Sequence, residues 1–205
     1  LINAPDWWTG VAAQNPSSTA CELRITPYTA NGVALGSQSA TLAGGGTWMG
    51  IPRDLGIPEN AAWLQVEAEN PDTGAEQSIA GLELIGTADG NQMIGVSAIE
   101  TDAASGILPR LENQGWSAFI FTNTAFSRAH VTLSAYNDHG EIIATNEIAI
   151  ESRSQALNFA EAFFGSDISN ATYIRYDSDR KVAAFQVDAS ADNLMMEGLG
   201  SLSLQ

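Results

Sequence analysis

The chain is built of short runs in which apolar and polar residues alternate. Cys21, Leu23 and Ile25 alternate with Glu22, Arg24 and Thr26; Leu64, Val66 and Ala68 with Gln65, Glu67 and Glu69; Ile174, Tyr176 and Ser178 with Arg175, Asp177 and Asp179. A period of two puts one set of side chains on a buried face and the other in water, which is how a half-buried β-strand reads. Turn-forming clusters such as "YTANG" and "YNDHG" close the runs, as strand ends require. The helical signal is confined to 154–165, "SQALNFAEAFFG", where Ser154 is placed as an N-cap, Leu157, Ala160 and Phe164 recur at helical spacing, and Gly165 is a stop. The stretch "GTWMGIPRDLG" contains Pro52 and predicts a single turn. An α/β fold would need long helices between strands. The pattern instead predicts an all-β protein of two tandem antiparallel β-sandwich, immunoglobulin-like domains, each with a short helix or helical turn.

Two domains are expected because the pattern repeats. Setting residue n against residue n+108 aligns Trp8 with Trp116, Asn15 with Asn123, Tyr28 with Tyr136 and Gly32 with Gly140, without a gap. Further on, "WLQVEAE" meets "YIRYDSD", and "IAGLELIGTADGNQMIG" meets "VAAFQVDASADNLMMEG". The first half carries extra residues within "NPDTGAEQS", read as an enlarged hairpin tip, where insertion costs least. The small, polar stretch 100–106, "ETDAASG", reads as the linker, giving a first repeat over 1–102 and a second over 103–205.

The segments "WWTGVAAQNPSSTACELRITPYTANG" and "ILPRLENQGWSAFIFTNTAFSRAHVTLSAYNDHG" resemble a tandem β-sandwich repeat of secreted or surface-exposed bacterial proteins. In that repeat a Pro-containing lead-in precedes a Trp with Thr or Ser, an apolar strand ending in Asn, and an alternating strand ending in Tyr and a Gly turn. The second copy departs from it with Thr124 in place of the Pro16 of the first. The resemblance implies an extracellular, cell-surface or periplasmic location and a structural or binding role without catalysis.

Composition narrows the function. Hydrophobic residues make up 44% of the chain, enough to build cores. The 24 acidic residues outnumber 8 basic ones, of which only Lys181 is a lysine, for a formal net charge of −16. Such a surface repels phosphate backbones and anionic lipid, so nucleic-acid binding is not expected. No apolar run is long enough to predict membrane insertion. Cys21, the sole cysteine, cannot form an internal disulfide and falls on the apolar side of its strand. His130 lies on the polar side of a strand and His139 in a turn, neither near a triad partner in sequence.

Two chemistries stay open. Asp89 and Asn91 in "ADGN", with Asp188, Asp192 and Asn193 in "DASADN", put hard oxygen ligands in matching loops, as calcium requires, although the same residues make ordinary Asx turns. No other cofactor is expected. Trp7 and Trp48 have no aromatic counterpart in the other half. If exposed, they would stack on sugar rings, making the chain a carbohydrate-binding module. An enzyme working through loop carboxylates is the remaining reading, with nothing to select a pair. The expected partner is accordingly a protein or a polysaccharide, its identity open.

Overall fold

The computed structural model describes residues 1–2, 5–99, 102–112, 114–165, 167–192 and 195–204. They fold as all-β structure in several antiparallel sheets. Contacts divide the chain into two compact units, Leu1–Ala98 and Ile99–Gln205. Among the described residues no helix is long and apolar enough to cross a membrane.

The first unit holds β1 (Trp7–Gln14), β2 (Cys21–Tyr28), β3 (Gln38–Leu42), β4 (Thr47–Gly50), β5 (Trp63–Glu69), β6 (Ala80–Thr87) and β7 (Met93–Ser97). They form a four-stranded sheet, β4-β1-β6-β7, and a three-stranded sheet, β3-β2-β5. Ala13 of β1 joins Cys21, Leu23, Ile25, Leu42 and Ala68 of the other sheet in one buried cluster, so the two sheets face each other. Cys21 is fully buried there, and burial pushes its thiol pKa up.

The second unit holds β8 (Ala103–Leu108), β9 (Trp116–Asn123), β10 (Ala129–Tyr136), β11 (Ile142–Ile150), β12 (Gln155–Phe159), α1 (Ala160–Phe164), β13 (Tyr173–Ala189), β14 (Met196–Gly200) and β15 (Leu202–Ser203). Its core packs Phe119 and Phe121 of β9 against Val131, Leu133, Ile174 and Tyr176, with Phe163 of α1. Strand β13 pairs β10 along its first half and β9 along its second, passing from one layer to the other without a break.

The two units match bond by bond at a pair of buried asparagines. Fully buried Asn15 donates through Nδ2 to the carbonyls of Thr19 (2.8 Å), Leu42 (3.5 Å) and Ala43 (3.2 Å), while its Oδ1 accepts from the Ser17 amide (3.0 Å). Asn123 donates to Ser127 (2.8 Å), Ile150 (3.0 Å) and Glu151 (3.0 Å), and accepts from the Ala125 amide (3.0 Å). Every partner is displaced by the same 108 residues. An amide side chain suits the post because it both donates twice and accepts, satisfying loop backbone groups that water cannot reach. The stack of Tyr28 on Trp63 (4.3 Å, 8°) likewise has its counterpart in Tyr136 on Tyr173 (5.0 Å, 3°).

Two sequence expectations are corrected. First, 154–165 is helical only over Ala160–Phe164, because Gln155–Phe159 pairs antiparallel with β9. Ladder bonds and burial against a neighbour outweigh helix propensity in so short a segment. Ser154 does not cap the helix; Phe159 occupies that position in extended conformation, while Gly165 ends the helix in the left-handed region (φ 62°) as expected. Its counterpart over 46–56 likewise contains a strand, β4, before the turn around Pro52. Second, 103–106 is not linker but the start of β8, which pairs β13; its small residues include Gly106, where an added Cβ would lie 2.6 Å from the Tyr176 hydroxyl. The extra residues of the first half do turn as a hairpin, the Asn70 amide donating to the Ala75 carbonyl (2.7 Å) and Glu69 bridging antiparallel to Glu76, before the chain passes from β5 to β6 in the other sheet.

Candidate functional site

Strand alternation assigns each side chain of the β4-β1-β6-β7 sheet to a face. Thr9, Val11 and Ala13 are buried and point inward; Trp8, Gly10, Ala12 and Gln14 take the other face. Register then reads the outer face in rows: Met49, Ala12, Leu82 and Ser97; next Gly10, Leu84 and Gly95; then Trp8, Gly86 and Met93. The end row is Thr47, Gln14 and Ala80. None of these residues is charged.

The second unit repeats the arrangement. Its rows are Leu157, Ile120, Phe185 and Gly200; Phe159, Ala118, Val187 and Gly198; Trp116, Ala189 and Met196; and Gln155, Thr122 and Ala183. Again no member carries charge. Met49 (65% exposed), Met93 (61%), Leu157 (56%) and Phe159 (53%) stand out into solvent. In a chain of net charge −16, two uncharged apolar sheet faces at equivalent registers are unusual, since isolated sandwiches keep polar residues on their wet face. The other layer follows that habit: Arg24, Glu67 and Glu69 in the first unit, and Arg175, Asp177 and Asp179 in the second, all face water.

Trp8 gives the first of these faces its shape. A Cβ on Gly86 would stand 2.6 Å from the indole, so the ring lies directly over that glycine. In the second unit Trp116 packs edge-on against Phe159 (5.6 Å, 83°). Trp8 and Trp116, which the 108-residue offset aligns, are thus both half-buried on the outer face of their sheets. Trp48 does the reverse. It is paired with buried Ala13 and packs against both core clusters of the first unit. Trp7 shares the inward phase of Thr9 and Val11 and is half-buried. The signal that would have found the faces was the near-continuous apolar run "WSAFIF", with too little alternation for a strand wet on one side.

The proposed calcium ligands fall into different settings. Asp89 accepts from the Thr87 hydroxyl (2.6 Å) and from the Asn91 amide (3.1 Å) and side chain (2.7 Å). These bonds, the Thr87 hydroxyl foremost, hold its carboxyl below the usual range. Asp192 accepts from Ser190 (2.6 Å) in the matching hairpin loop; Asn193 lies outside the described residues. Both loops are thus closed by their own acids, with Gln92 and Met195 amides bonding Thr87 and Ser190 in the same way. Among the described residues no three of His, Cys, Asp and Glu gather closely enough to hold a metal ion.

Asp188 is set apart from these loops. It faces inward and is 3% exposed, accepting from the Ser117 hydroxyl (2.5 Å) and the Gln186 amide (2.7 Å), which also bonds the Arg110 carbonyl (2.9 Å). Burial raises its pKa, against the two hydrogen bonds, which lower it. Its counterpart in the first unit is Ile85, at the same register beside β7. The network ties the lead-in around Arg110 to β9 and β13, at a register where the first unit has an apolar residue.

No protein-family model and no curated protein matches the chain. Among solved structures, the crystal structure of Thermotoga maritima 1070 is similar at 11% sequence identity and a TM-score of 0.44, covering 51% of this chain and 97% of that one.

Proposed function

We propose that the chain is a non-enzymatic, exported bacterial interaction module made of two immunoglobulin-like β-sandwich repeats, and that the uncharged outer sheet faces bind a partner protein. The observation that carries this reading is the recurrence of the face: Met49, Ala12 and Leu82 in one unit, Leu157, Ile120 and Phe185 in the other, in one register. Met49, Leu82 and Met93 of the first face and Leu157 and Phe159 of the second stand in solvent, while Ala118, Ile120, Val187 and Ala189 of the second are buried; exposed apolar side chains at equivalent registers suit a surface that is covered when the protein works. A sugar site needs polar groups aimed at hydroxyls among its aromatic platforms. Apart from the indole N–H of each tryptophan, these faces offer side-chain hydrogen-bonding groups only toward their margins, at Gln14, Thr47 and Ser97 and at Gln155 and Thr122, which favours a protein. Export rests on the resemblance to secreted repeats and on a composition with a single lysine.

The test is photo-crosslinking in the producing cell, with benzoylphenylalanine at Met49 or Leu157 and, as control, at Arg24 on the charged face. One discrete protein adduct from 49 and 157, absent from 24, is the expected result. A polysaccharide smear would move the reading to sugar binding, and equal adducts from all three positions would end it.

A further inference from the structure

We infer that one end of the second unit, built by Phe126 and Arg128 between β9 and β10, Arg153 between β11 and β12, and Arg180 of β13, recognises a short carboxylate-rich segment of a partner polypeptide. Arg128, Arg153, Arg180 and Lys181 are half of the chain's 8 cations. Contacts gather them at one loop. The Arg153 guanidinium lies 4.2 Å over the Phe126 ring, Arg180 donates through Nε to the Ser127 hydroxyl (3.3 Å), and Arg128 is the next residue. The two loops are fixed to each other from within. Buried Asn123 donates to the Ser127 carbonyl of one and the Glu151 carbonyl of the other, and the Arg153 amide bonds the Ala125 carbonyl (3.1 Å). A frame held in this way loses little conformational entropy when it binds.

The fold does not require these residues. The 108-residue offset sets Phe126, Arg128 and Arg153 against Ser18, Ala20 and Gly45, and the register of β13 against β5 sets Arg180 against Asn70. The first unit thus closes the same asparagine-centred frame with uncharged residues. Two of the second unit's choices are also unfavourable in themselves. Phe126 is 83% exposed, and Arg153 holds φ 58° where the first unit has a glycine. Strain and exposure kept together at one loop, beside a unit that folds without either, point to binding.

The groups set the ligand's chemistry. Arg180 donates to the Ser127 hydroxyl and the Asp179 carbonyl (2.9 Å), both neutral acceptors, so among the described residues no carboxylate is bonded to its guanidinium. Arg128 pairs with Glu151, each more than half exposed, and a surface pair of this kind is worth little and exchanges readily. Stacking on Phe126 holds the Arg153 charge at the loop. The acids that face the cluster are Glu151, Asp179, which accepts from the His130 amide (2.8 Å), and Asp102, which accepts from the Thr124 hydroxyl. Positive charge is left in excess here, in a chain of net charge −16. A long polyanion would run on from the loop onto acidic surface and be repelled, whereas two or three side-chain carboxylates match the guanidinium groups. Phe126 adds an apolar contact, so the segment carries an aliphatic side chain among its acids. The nearby hydroxyls of Ser127 and Ser152 already bond Arg180 and the Ala125 carbonyl (3.3 Å), which favours a peptide over an acidic sugar. None of these residues belongs to the outer sheet faces, so this site and the crosslinking result can fail independently.

The probe is a fluorescein-labelled peptide of four glutamates around one leucine, titrated with the full chain and read by anisotropy. One variant combines Phe126→Ser, Arg128→Ala and Arg153→Gly, restoring the first unit's residues, with its Tm as the check on folding. Arg180→Gln, a change at an exposed side chain, is the second, and Arg24→Gln is the control. Wild type should bind, with affinity about tenfold weaker in the triple variant, about threefold weaker in Arg180→Gln, unchanged in Arg24→Gln, and falling as salt rises. The same peptide with glutamines for glutamates should not bind. Absence of binding to wild type, or equal affinity in wild type, the triple variant and Arg180→Gln, would overturn the site. Binding of a galacturonic acid oligomer without binding of the peptide would overturn the polypeptide partner.

Discussion

The first unit separates its two layers where the second joins them. Between β5 and β6 the chain makes a hairpin turn over 70–75 and changes sheet, while β13 runs from Tyr173 to Ala189 and belongs to both layers. The copies agree at the buried asparagine, at the tyrosine stack and in the hairpin loops, and they diverge in how one layer is tied to the next. Duplicated posts that satisfy buried backbone groups resist change, because any substitution leaves carbonyls without donors. A connection through solvent carries no such penalty, and insertion there is cheap.

Breaking the shared post should have the largest effect. Asn15→Ala and Asn123→Ala each strand three backbone carbonyls and one amide, and each should destabilise its own unit by about 3 kcal/mol, with urea unfolding followed by fluorescence as the measurement. If one copy tolerates the change and the other does not, the clamp is not a duplicated necessity.

The next contrast is Asp188 against Ile85. The folded-state pKa of Asp188 is raised, so folded protein holds the extra proton between the ordinary carboxylate value, about 3.9, and the raised one. Stability contributed by this group is therefore present at the acid end of that window and lost as pH rises through it, the reverse of a salt-bridged carboxylate. Relief of general repulsion on acidification has the same sign, so the comparison must be with Asp188→Asn. The difference in Tm between wild type and variant should shift in favour of wild type as pH falls from 7 toward 4. A constant difference would mean that Asp188 titrates normally.

The smallest effect belongs to Arg153, the non-glycine residue with positive φ (58°) among the described residues, standing where the first unit has Gly45 (φ 73°). Its guanidinium lies 4.2 Å over the Phe126 ring. Arg153→Gly relieves about 1 kcal/mol of left-handed strain and forfeits a cation–π contact of similar size, so the Tm should move by only a few degrees. A large loss would show that the ring contact fixes the loop.

Much of this architecture was legible in the sequence, and the failures share a cause. Alternation in "CELRIT" and "YIRYDSD" reports one wet face and gave those strands directly; the turn glycines Gly32 and Gly140 do take positive φ (79° and 76°). Where pairing decides, local pattern fell short. Gln155–Phe159 carries a helical spacing yet lies on β9, and Ala103–Gly106 has linker composition yet lies on β13. Phase was the other loss. Trp7 and Trp8 are adjacent, and without the register of β1 nothing says which indole faces out. Asp89, Asn91 and Asp192 were legible as loop residues, but Asp188, read with them, lies buried within β13, and which acids would be spent on their own hairpins depended on geometry.

Strand β13 also has a mechanical meaning. Tension along it is borne at once by ladders to β10, β8, β9 and β14, so the second unit yields only when several rows of bonds shear together. The first unit divides that load between two strands, β5 laddered to β2 and β6 laddered to β1 and β7, so its layers can come away in succession. Under load the chain has a built-in order of failure, with the looser copy giving way and the tighter copy holding on.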